Sequence, residues 1–385
     1  MALRSARRSK RRTDEAQRPG EQSRPTARAT PSLPADPSLP PTAGWLLRGK
    51  DGRLSAYAPG AEGVLRWTET RPGGPEWEGP QIFPAQGVLP SLGMAQGSDG
   101  YAQLVGLRHT HSADGELITD LAMAIQYQSG RPMREWSSFG TPYPKSKELS
   151  DRIGRPSAAV DTNGLLHAFI RNAGGGVCGR TQHANGRWGS WADLKGSNVL
   201  GVPAVTLTDA GVMEVLAVSK DRVLRWVQET PGALFTRVDD IEASAVPGSL
   251  SAERTGRGRL THFWREAATG TVQAWREGMD EPVPLGGTGG TGPVALLRTP
   301  VDGHDCTVMA QLGPDGRPSL AAYPTEDESA GAVWTTTGEP CAGAPALAID
   351  GTGRVVLAAF GADGTLRVTR QKAESGLAME AWTAV

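Results

Sequence analysis

One phrase recurs along this chain: a proline, a short apolar stretch, a polar turn that ends in glycine, and a second apolar stretch. Three copies run from Pro156 to Phe169, from Pro203 to Leu216 and from Pro345 to Phe360. In each of them the glycine follows the proline by eight positions. Looser copies begin at Pro90, Pro247 and Pro293, and one copy without the proline begins near Gly44. The chain must therefore fold as an array in which each copy buries its apolar faces against its neighbours.

A third apolar stretch follows the phrase in most copies, as in Gly63–Trp67, Arg222–Trp226 and Gly364–Val368. Its side chains alternate, which is the period of a β-strand. These three copies align without gaps, and Gly176–Arg180 and Gly270–Ala274 fit more loosely. One predicted face holds Leu65, Cys178, Leu224, Val272 and Leu366, and the other holds Arg66, Arg225 and Arg367. A tryptophan marks the start of a fourth stretch in five copies: Trp77, Trp136, Trp191, Trp334 and Trp382.

Four short strands in each of seven copies predict an all-β fold, a seven-bladed β-propeller of four-stranded antiparallel blades. We predict that the propeller spans residues 44–385, with blades that start near 44, 90, 156, 203, 247, 293 and 345. The second copy is longer than the others, and we assign the excess to an insertion at residues 139–153. Such an insertion is either a functional loop, for instance a site for a protein partner, or a tolerated surface loop.

Residues 1–43 differ in composition from the rest of the chain. They hold nine basic residues, four acidic residues and seven prolines, and no aromatic residue. Such a segment buries too little apolar surface to offset the entropy of ordering it, so we predict a disordered, basic, proline-rich tail. Its basic run, Arg4 to Arg12, suits a protein partner or an acidic surface. We do not expect nucleic acid to be a partner.

The third copy continues with Trp188, Trp191, Leu194 and Gly196 before Pro203. This segment resembles the repeat of the PLL-like and tectonin-like propeller lectins, which reads roughly W-x-x-W-x-x-L-G-G followed by P. Lys195 replaces the first glycine of that motif, and the other copies keep one tryptophan each. The resemblance implies a propeller fold and sugar sites in clefts between adjacent blades, against aromatic rings. Sugars pack their C–H faces on such rings while polar groups bind their hydroxyls.

The function we predict is therefore a lectin-like propeller whose partners are glycans, bound in shallow sites between blades. The predicted ligand-binding residues are Arg66, Trp67, Trp136, Trp188, Trp191, Arg225 and Trp226. For the tryptophans the competing interpretation is packing between sheets, and for the arginines it is a solvated face paired with nearby glutamates such as Glu69 and Glu229. The alternative function is a protein-interaction scaffold that uses the propeller face and the long second blade.

A glycosidase or lyase is the third possibility, but we predict no catalytic residue, cofactor or metal site. The sequence contains neither a Gly-x-Ser-x-Gly nor a His-Glu-x-x-His motif. His109 and His111 have the spacing of a metal pair without a third ligand, so we expect an exposed pair. The acidic run Glu326–Glu328 is interpreted as a solvated hairpin loop.

The start of the chain lacks the apolar stretch of a signal peptide, which favours a cytoplasmic protein and leaves open an export route that needs no such peptide. The three cysteines are expected to be reduced thiols in that compartment. The sequence does not decide whether Cys306 and Cys341 pair.

Overall fold

Each of the seven sequence copies folds into its own antiparallel sheet in the computed structural model, which describes residues 44–385. The sheets follow one another in chain order, and the first strands of adjacent blades lie side by side, except that the first strand of blade 2 lies beside the second strand of blade 1. The ring closes where the first strand of blade 7 meets that of blade 1. The predicted seven-bladed propeller is thereby confirmed. The predicted tail, residues 1–43, lies outside the described residues.

Within each of blades 1 to 4, the first four strands are neighbours in the sheet in chain order. Blade 1 contains β1 (Leu46–Arg48), β2 (Leu54–Gly60), β3 (Gly63–Glu69) and β4 (Trp77–Pro84). Blade 2 contains β5 (Val88–Gln96), β6 (Ala102–His111), β7 (Leu117–Gln126) and β8 (Ser137–Ser138), followed by the short helix α1 (Lys147–Ser150). Blade 3 contains β9 (Ser157–Val160), β10 (Leu166–Arg171), β11 (Val177–Thr181) and β12 (Ala192–Lys195). Blade 4 contains β13 (Leu200–Leu207), β14 (Met213–Val218), β15 (Arg222–Gln228), β16 (Phe235–Arg237) and a two-residue strand, β17 (Ile241–Glu242), that also pairs with β15.

Blades 5 to 7 complete the ring. Blade 5 contains β18 (Ser251–Gly256), β19 (Arg259–Arg265), β20 (Thr271–Trp275) and β21 (Val283–Thr288). Blade 6 contains β22 (Ala295–Val301), β23 (His304–Leu312), β24 (Pro318–Pro324), a 3₁₀ turn at Glu328–Ala330 and β25 (Thr335–Thr336). Blade 7 contains β26 (Ala346–Ile349), β27 (Val355–Phe360), β28 (Leu366–Arg370) and β29 (Thr383–Ala384).

The recurrent phrase corresponds to the hairpin between the first two strands of a blade. In blade 3 the Asp161 carboxylate accepts hydrogen bonds from the backbone N–H groups of Asn163 (2.8 Å) and Leu165 (2.9 Å). Gly164 then turns the chain at φ = 78°, a conformation that side chains with a Cβ rarely adopt. The turn chemistry explains why an acidic or hydroxyl residue and a glycine recur at fixed distances from the proline.

The prolines of the repeat lie in or just before the innermost strands, which are sheet edges. Pro203 is within β13 where the pairing with β14 shifts between Leu200 and Ala204, and Pro90 is at a comparable shift in β5. Proline has no N–H to donate, so it fits an edge strand at an irregularity in the ladder. The innermost strands of the blades line a central cavity of about 340 Å³ with mostly small or apolar side chains.

The hydrophobic core is divided among the seven contacts between adjacent blades. Seven buried clusters exist within residues 44–385, and each combines apolar side chains from two neighbouring blades. Every blade contributes one face to the cluster before it and the other face to the cluster after it. A sheet with two apolar faces is stable only when both are covered, so the ring is the arrangement that satisfies all blades at once.

The alternation of faces is confirmed within the third strands, but the predicted alignment across copies is wrong in blades 5 and 7. Val272 of blade 5 packs toward the following blade 6, whereas Cys178 and Leu224 pack toward the preceding blade. Leu65 packs toward blade 7, and Arg66 bonds to a carbonyl of blade 2. In blade 7 the faces are exchanged: Leu366 packs toward blade 1, while Arg367 pairs with Glu339 at the end of blade 6. The reason is the turn before the third strand, because β27 and β28 are joined by residues 361–365 whereas β2 and β3 are joined by residues 61–62 alone. An odd difference in turn length exchanges the two faces.

Blades 7 and 1 close the ring without exchanging a strand. The ring of Phe360 lies 4.6 Å from Trp45 and 5.2 Å from Trp67, measured between ring centroids. Beside this aromatic cluster, Arg370 Nη2 lies 2.7 Å from Glu69 Oε1, and both side chains are buried. Closure therefore depends on an aromatic contact and one buried ion pair between the two ends of the described chain.

Two further features of residues 44–385 bear on the sequence predictions. The three cysteines are free thiols. Within this part of the chain, no helix is long and apolar enough to cross a membrane.

Replacing Arg370 by methionine is expected to lower the free energy of unfolding by about 3–5 kcal/mol, because the Glu69 carboxylate stays buried without its cation. The loss should be smaller in the double variant Arg370→Met/Glu69→Gln, because Glu69 then carries no charge and Asp350, the other buried carboxylate beside Arg370, keeps Arg354 as its partner. Urea unfolding measures all three proteins. Arg222→Met is the matched control, since the Arg222–Asp221 pair lies on the surface, and it should cause no measurable loss. Equal stability of Arg370→Met and this control would contradict the importance of the ion pair.

Candidate functional site

A cleft of about 530 Å³ opens between blades 4 and 5, and we call it the 4/5 cleft. Strands β14 and β15 form one wall, and β19 with the start of the loop after β20 forms the other. Its lining residues are Thr208, Val212, Glu214, Arg225, Val227, Val238, Asp239, Gly258, Arg259, Leu260, His262, Arg276 and Glu277. The volume falls in the range of ligand sites in proteins, and apolar side chains alternate with several charged ones.

Glu214 and Arg225 project into this cleft because of the pairing of β14 with β15. Arg225 pairs with Leu216 and Glu214 pairs with Val227, so both side chains lie on the face toward blade 5. Glu214 Oε1 accepts a hydrogen bond from Arg225 Nε at 2.8 Å, and Glu214 Oε2 lies 3.2 Å from Nε2 of His262 on β19. The two blades are thus joined through one buried carboxylate.

The Glu214 carboxylate stays ionised in spite of its burial. Burial by itself raises the pKa of this group, but the His262 imidazole and the Arg225 guanidinium outweigh it and hold the pKa at about 2. At neutral pH the group therefore accepts hydrogen bonds and has no proton to donate.

Arg225 connects this buried carboxylate to the open part of the cleft. Its Nη2 lies 2.7 Å from Oε2 of Glu277, a side chain that is 79% exposed. Its guanidinium carbon lies 4.6 Å from the centre of the Trp275 ring, and that ring also stacks on His262 at 6.1 Å. A charged, planar donor is thereby fixed between an aromatic ring and two carboxylates.

Only one of the two ring nitrogens of His262, Nε2, has a polar partner among the described residues. Its side chain is almost completely buried, and its Nδ1 has no hydrogen-bond partner within residues 44–385. A buried polar atom without a partner is uncommon and calls for an explanation such as a bound ligand or water.

Two further arginines of blade 5 line the cleft, and each forms an ion pair with a glutamate of the acidic run of blade 6. Arg276 pairs with Glu328, and Arg259 Nη2 lies 2.5 Å from Oε2 of Glu326. The interpretation of Glu326–Glu328 as a solvated loop is wrong for Glu328, which is buried and also accepts a hydrogen bond from Tyr323 at 3.4 Å. The counter-charge of Arg276 in the adjacent blade makes this burial possible.

The cleft between blades 1 and 2 has an arginine at the same strand position but is closed. Arg66 donates to the carbonyl of Arg131 at 2.6 Å and to Gln81 at 2.5 Å. The loop after β7 reaches back over blade 1 and fills the space beside Arg66. The corresponding space beside Arg225, between blades 4 and 5, stays open. Neither Arg66 nor Arg225 lies on a solvated face, and neither pairs with Glu69 or Glu229.

Of the seven residues predicted from the sequence to bind ligand, only Arg225 lines the 4/5 cleft. Trp67 and Trp226 are each 1% exposed and belong to the clusters between blades, so no ligand reaches their rings. Trp136 is half-buried against the cluster between blades 1 and 2. We therefore remove Trp67 and Trp226 from the set of residues that we propose as ligand contacts.

Trp188 and Trp191 lie together between blades 2 and 3, where the insertion covers them. Trp188 stacks on Phe139 with ring centroids 4.5 Å apart, and Arg180 lies over Trp191 at 5.7 Å. Phe139 and Ile153, at the two ends of the insertion, are buried in the same cluster. The insertion thus packs onto blade 3 and occupies the cleft that the tryptophan motif marks.

The sequence prediction missed Glu214, His262, Trp275 and Glu277. A weak signal exists for the first two. Glu214 interrupts the apolar stretch of β14, and His262 lies in the buried part of β19 beside Leu260 and Phe263. A polar side chain in a buried strand is costly unless it has a partner. Within the described residues, no group of three or more His, Cys, Asp or Glu side chains is placed to hold a metal ion.

Comparison with protein-family models and with curated protein sequences finds no match for this chain. Solved structures share its fold. The BP39L lectin from Burkholderia pseudomallei superposes with a TM-score of 0.67 at 13% identity, over 89% of this chain and 99% of that one. The PL25 ulvan lyase gives 0.51 at 12% identity, over 92% and 94%. The Hadza microbial sialidase gives 0.50 at 13% identity, over 86% and 73%.

These similarities establish the β-propeller class for this chain and nothing finer. A lectin and two kinds of carbohydrate-active enzyme share the fold, so the activity has to be argued from the side chains of the site.

The stability of the protein should depend on pH through Glu214. Its folded pKa lies below the ordinary value of 4.5, so its ionised form stabilises the fold above that value, and the contribution disappears as pH falls toward 2. The difference in free energy of unfolding between wild type and Glu214→Gln should be about 3 kcal/mol at pH 7 and much smaller near pH 2.5. Urea unfolding at several pH values measures this difference. A difference that stays constant from pH 7 to pH 2.5 would contradict the ionised, paired state.

Proposed function

We propose that this chain is a carbohydrate-binding, lectin-like propeller whose sugar site is the 4/5 cleft. The observation that carries the proposal is an open cleft of about 530 Å³ that holds buried, ionised and mutually oriented polar groups. Sugars present several hydroxyls at fixed angles, and a rigid set of charged donors and acceptors matches such ligands.

The walls of the cleft suit both parts of a sugar. Val212, Val227 and Leu260 supply apolar surface for the C–H groups of a pyranose ring. Arg225, Glu277 and Asp239 supply donors and acceptors at the open side. Because Arg225 and Glu214 hold each other and His262 also holds Glu214, little side-chain entropy is lost when a ligand binds.

Binding is a better account of the cleft than acid catalysis of glycoside hydrolysis. A glycosidase needs a carboxyl group that keeps its proton near neutral pH, and such groups have raised pKa values. The pKa of Glu214 is shifted in the other direction, to about 2. The similarity in fold to a lectin supports the same proposal.

A protein-interaction role is the second candidate, and the outer end of blade 2 favours it. Leu117 and Ile118, at the tip of the long hairpin β6–β7, are 39% and 41% exposed. As consecutive residues of a strand they project from opposite faces of the hairpin tip, and large apolar side chains exposed there are available to contact a protein partner. If no glycan binds, affinity capture with the wild type and with Leu117→Ser/Ile118→Ser tests this role, since a partner of this surface is lost only from the variant.

A glycan array with wild type and three variants tests the proposed sugar site. Asp239→Trp places an indole at the rim of the 4/5 cleft and should weaken binding by about tenfold or more. Glu229→Trp is the matched control, because it also replaces an acidic residue by tryptophan, at an exposed position outside the cleft, and should bind as the wild type does. Equal binding by both variants would exclude this cleft.

Trp188→Ala distinguishes the 4/5 cleft from the tryptophan motif. The variant loses the stacking contact with Phe139 between blades 2 and 3, away from the proposed site. We expect it to bind glycans as the wild type does. Loss of binding in Trp188→Ala, with Asp239→Trp unaffected, would move the sugar site to Trp188 and Trp191.

A further inference from the structure

The two sides of Arg225 are very different. The inner side, at Nε, bonds to Glu214, which is 7% exposed and is held by His262 as well. The outer side, at Nη2, bonds to Glu277, which is 79% exposed and has no other ion-pair or hydrogen-bond partner within residues 44–385. The inner contact is therefore a permanent part of the fold, and the outer one is not.

The outer contact is easily exchanged. An ion pair whose acid lies in water contributes little, since the carboxylate is well solvated when it leaves. The Arg225 guanidinium, in contrast, is 8% exposed and cannot lose its charge. When Glu277 turns away, a buried cation is left facing an open cleft with an unfilled donor edge. A ligand carboxylate is the group that best fills such an edge, because it accepts two parallel N–H bonds from a guanidinium.

The two other arginines of the cleft do not compete for that carboxylate. Arg276 and Arg259 are already paired with Glu328 and Glu326 of blade 6. Trp275 backs the guanidinium at 4.6 Å and keeps its plane in place. The position of the Glu277 carboxylate thus marks where a ligand acid would bind.

We propose that the 4/5 cleft selects acidic glycans, which are glycans with a carboxylate on the sugar. In the absence of ligand, the Glu277 carboxylate occupies the position on Arg225 that the sugar carboxylate takes when it binds and displaces Glu277. The inference rests on the proposed carbohydrate-binding function and adds the class of sugar. Glu277 is then a specificity-determining residue that lowers affinity for acidic ligands and leaves neutral ones unaffected.

The test uses an array of carboxylate-bearing glycans, each printed beside its carboxyl-reduced, neutral counterpart. The full-length wild type should bind the acidic form and lose binding when the carboxylate is reduced. Glu277→Gln should bind the acidic form about two- to fivefold more tightly, the factor expected from removing an exposed competing pair. Glu281→Gln is the matched control, since Glu281 lies on the same loop with the same charge but does not line the cleft. It should leave the affinity unchanged.

The outcomes separate the two proposals. Equal binding of acidic and reduced glycans, or equal effects of Glu277→Gln and Glu281→Gln, overturns the acidic specificity and leaves the sugar site in place. Absence of binding to every glycan overturns the carbohydrate-binding function itself. Added NaCl gives a second readout, because it should weaken binding of the acidic form and not of any neutral ligand.

Discussion

Every blade of this propeller has two apolar faces, and neither face is stable in water. This constraint fixes the ring, since a sheet that is covered on both sides needs a neighbour before it and a neighbour after it. The contact between blades 7 and 1 is the most demanding, because its partners are the most distant in sequence. Phe360 packs on Trp45 and Trp67 there, and Arg370 pairs with Glu69 in the same interface. Without this contact two apolar faces would lie open, and the other six contacts would lose their geometric support.

Some blade faces carry a charged residue among the apolar ones. At these positions the length of a loop of the following blade decides whether the space beside the charge is filled or stays open as a candidate ligand site. Arg66 and Arg225 occupy the same position in the third strands of blades 1 and 4, and both point toward the following blade. In the first case the loop around Arg131 folds back and accepts the guanidinium N–H groups. In the second case the loop after β20 is shorter, so the guanidinium borders an open cleft. The arginine at this repeated position thus contributes to packing between blades in blade 1 and borders a candidate ligand site in blade 4.

The fold could be read from the sequence because its signals are local and repeated. Proline, turn and glycine stand at fixed spacings, and these report hairpins that each copy forms by itself. The exchanged faces of Leu366 and Arg367 could not be read, since an odd number of extra residues in a turn reverses the phase of every residue after it. The candidate site was harder to predict from the sequence than the fold. Glu214 and Arg225 belong to one copy while His262 and Trp275 belong to the next, so their meeting depends on how two blades pack.

The charges in the 4/5 cleft are poorly explained by stability alone. Replacing a buried ion pair with well-packed apolar residues is often neutral or even stabilising, so a fold that needed only cohesion between blades would gain little from Glu214, Arg225 and His262. Arg370 and Glu69 are sealed within their interface, whereas Arg225 is backed by an aromatic ring and turned toward open space. Buried charge that borders an accessible cleft is the arrangement expected where protein groups must meet a polar ligand without reorganising. For that reason the 4/5 cleft, and not the tryptophan-rich contact that first suggests a lectin, is where ligand recognition is best sought.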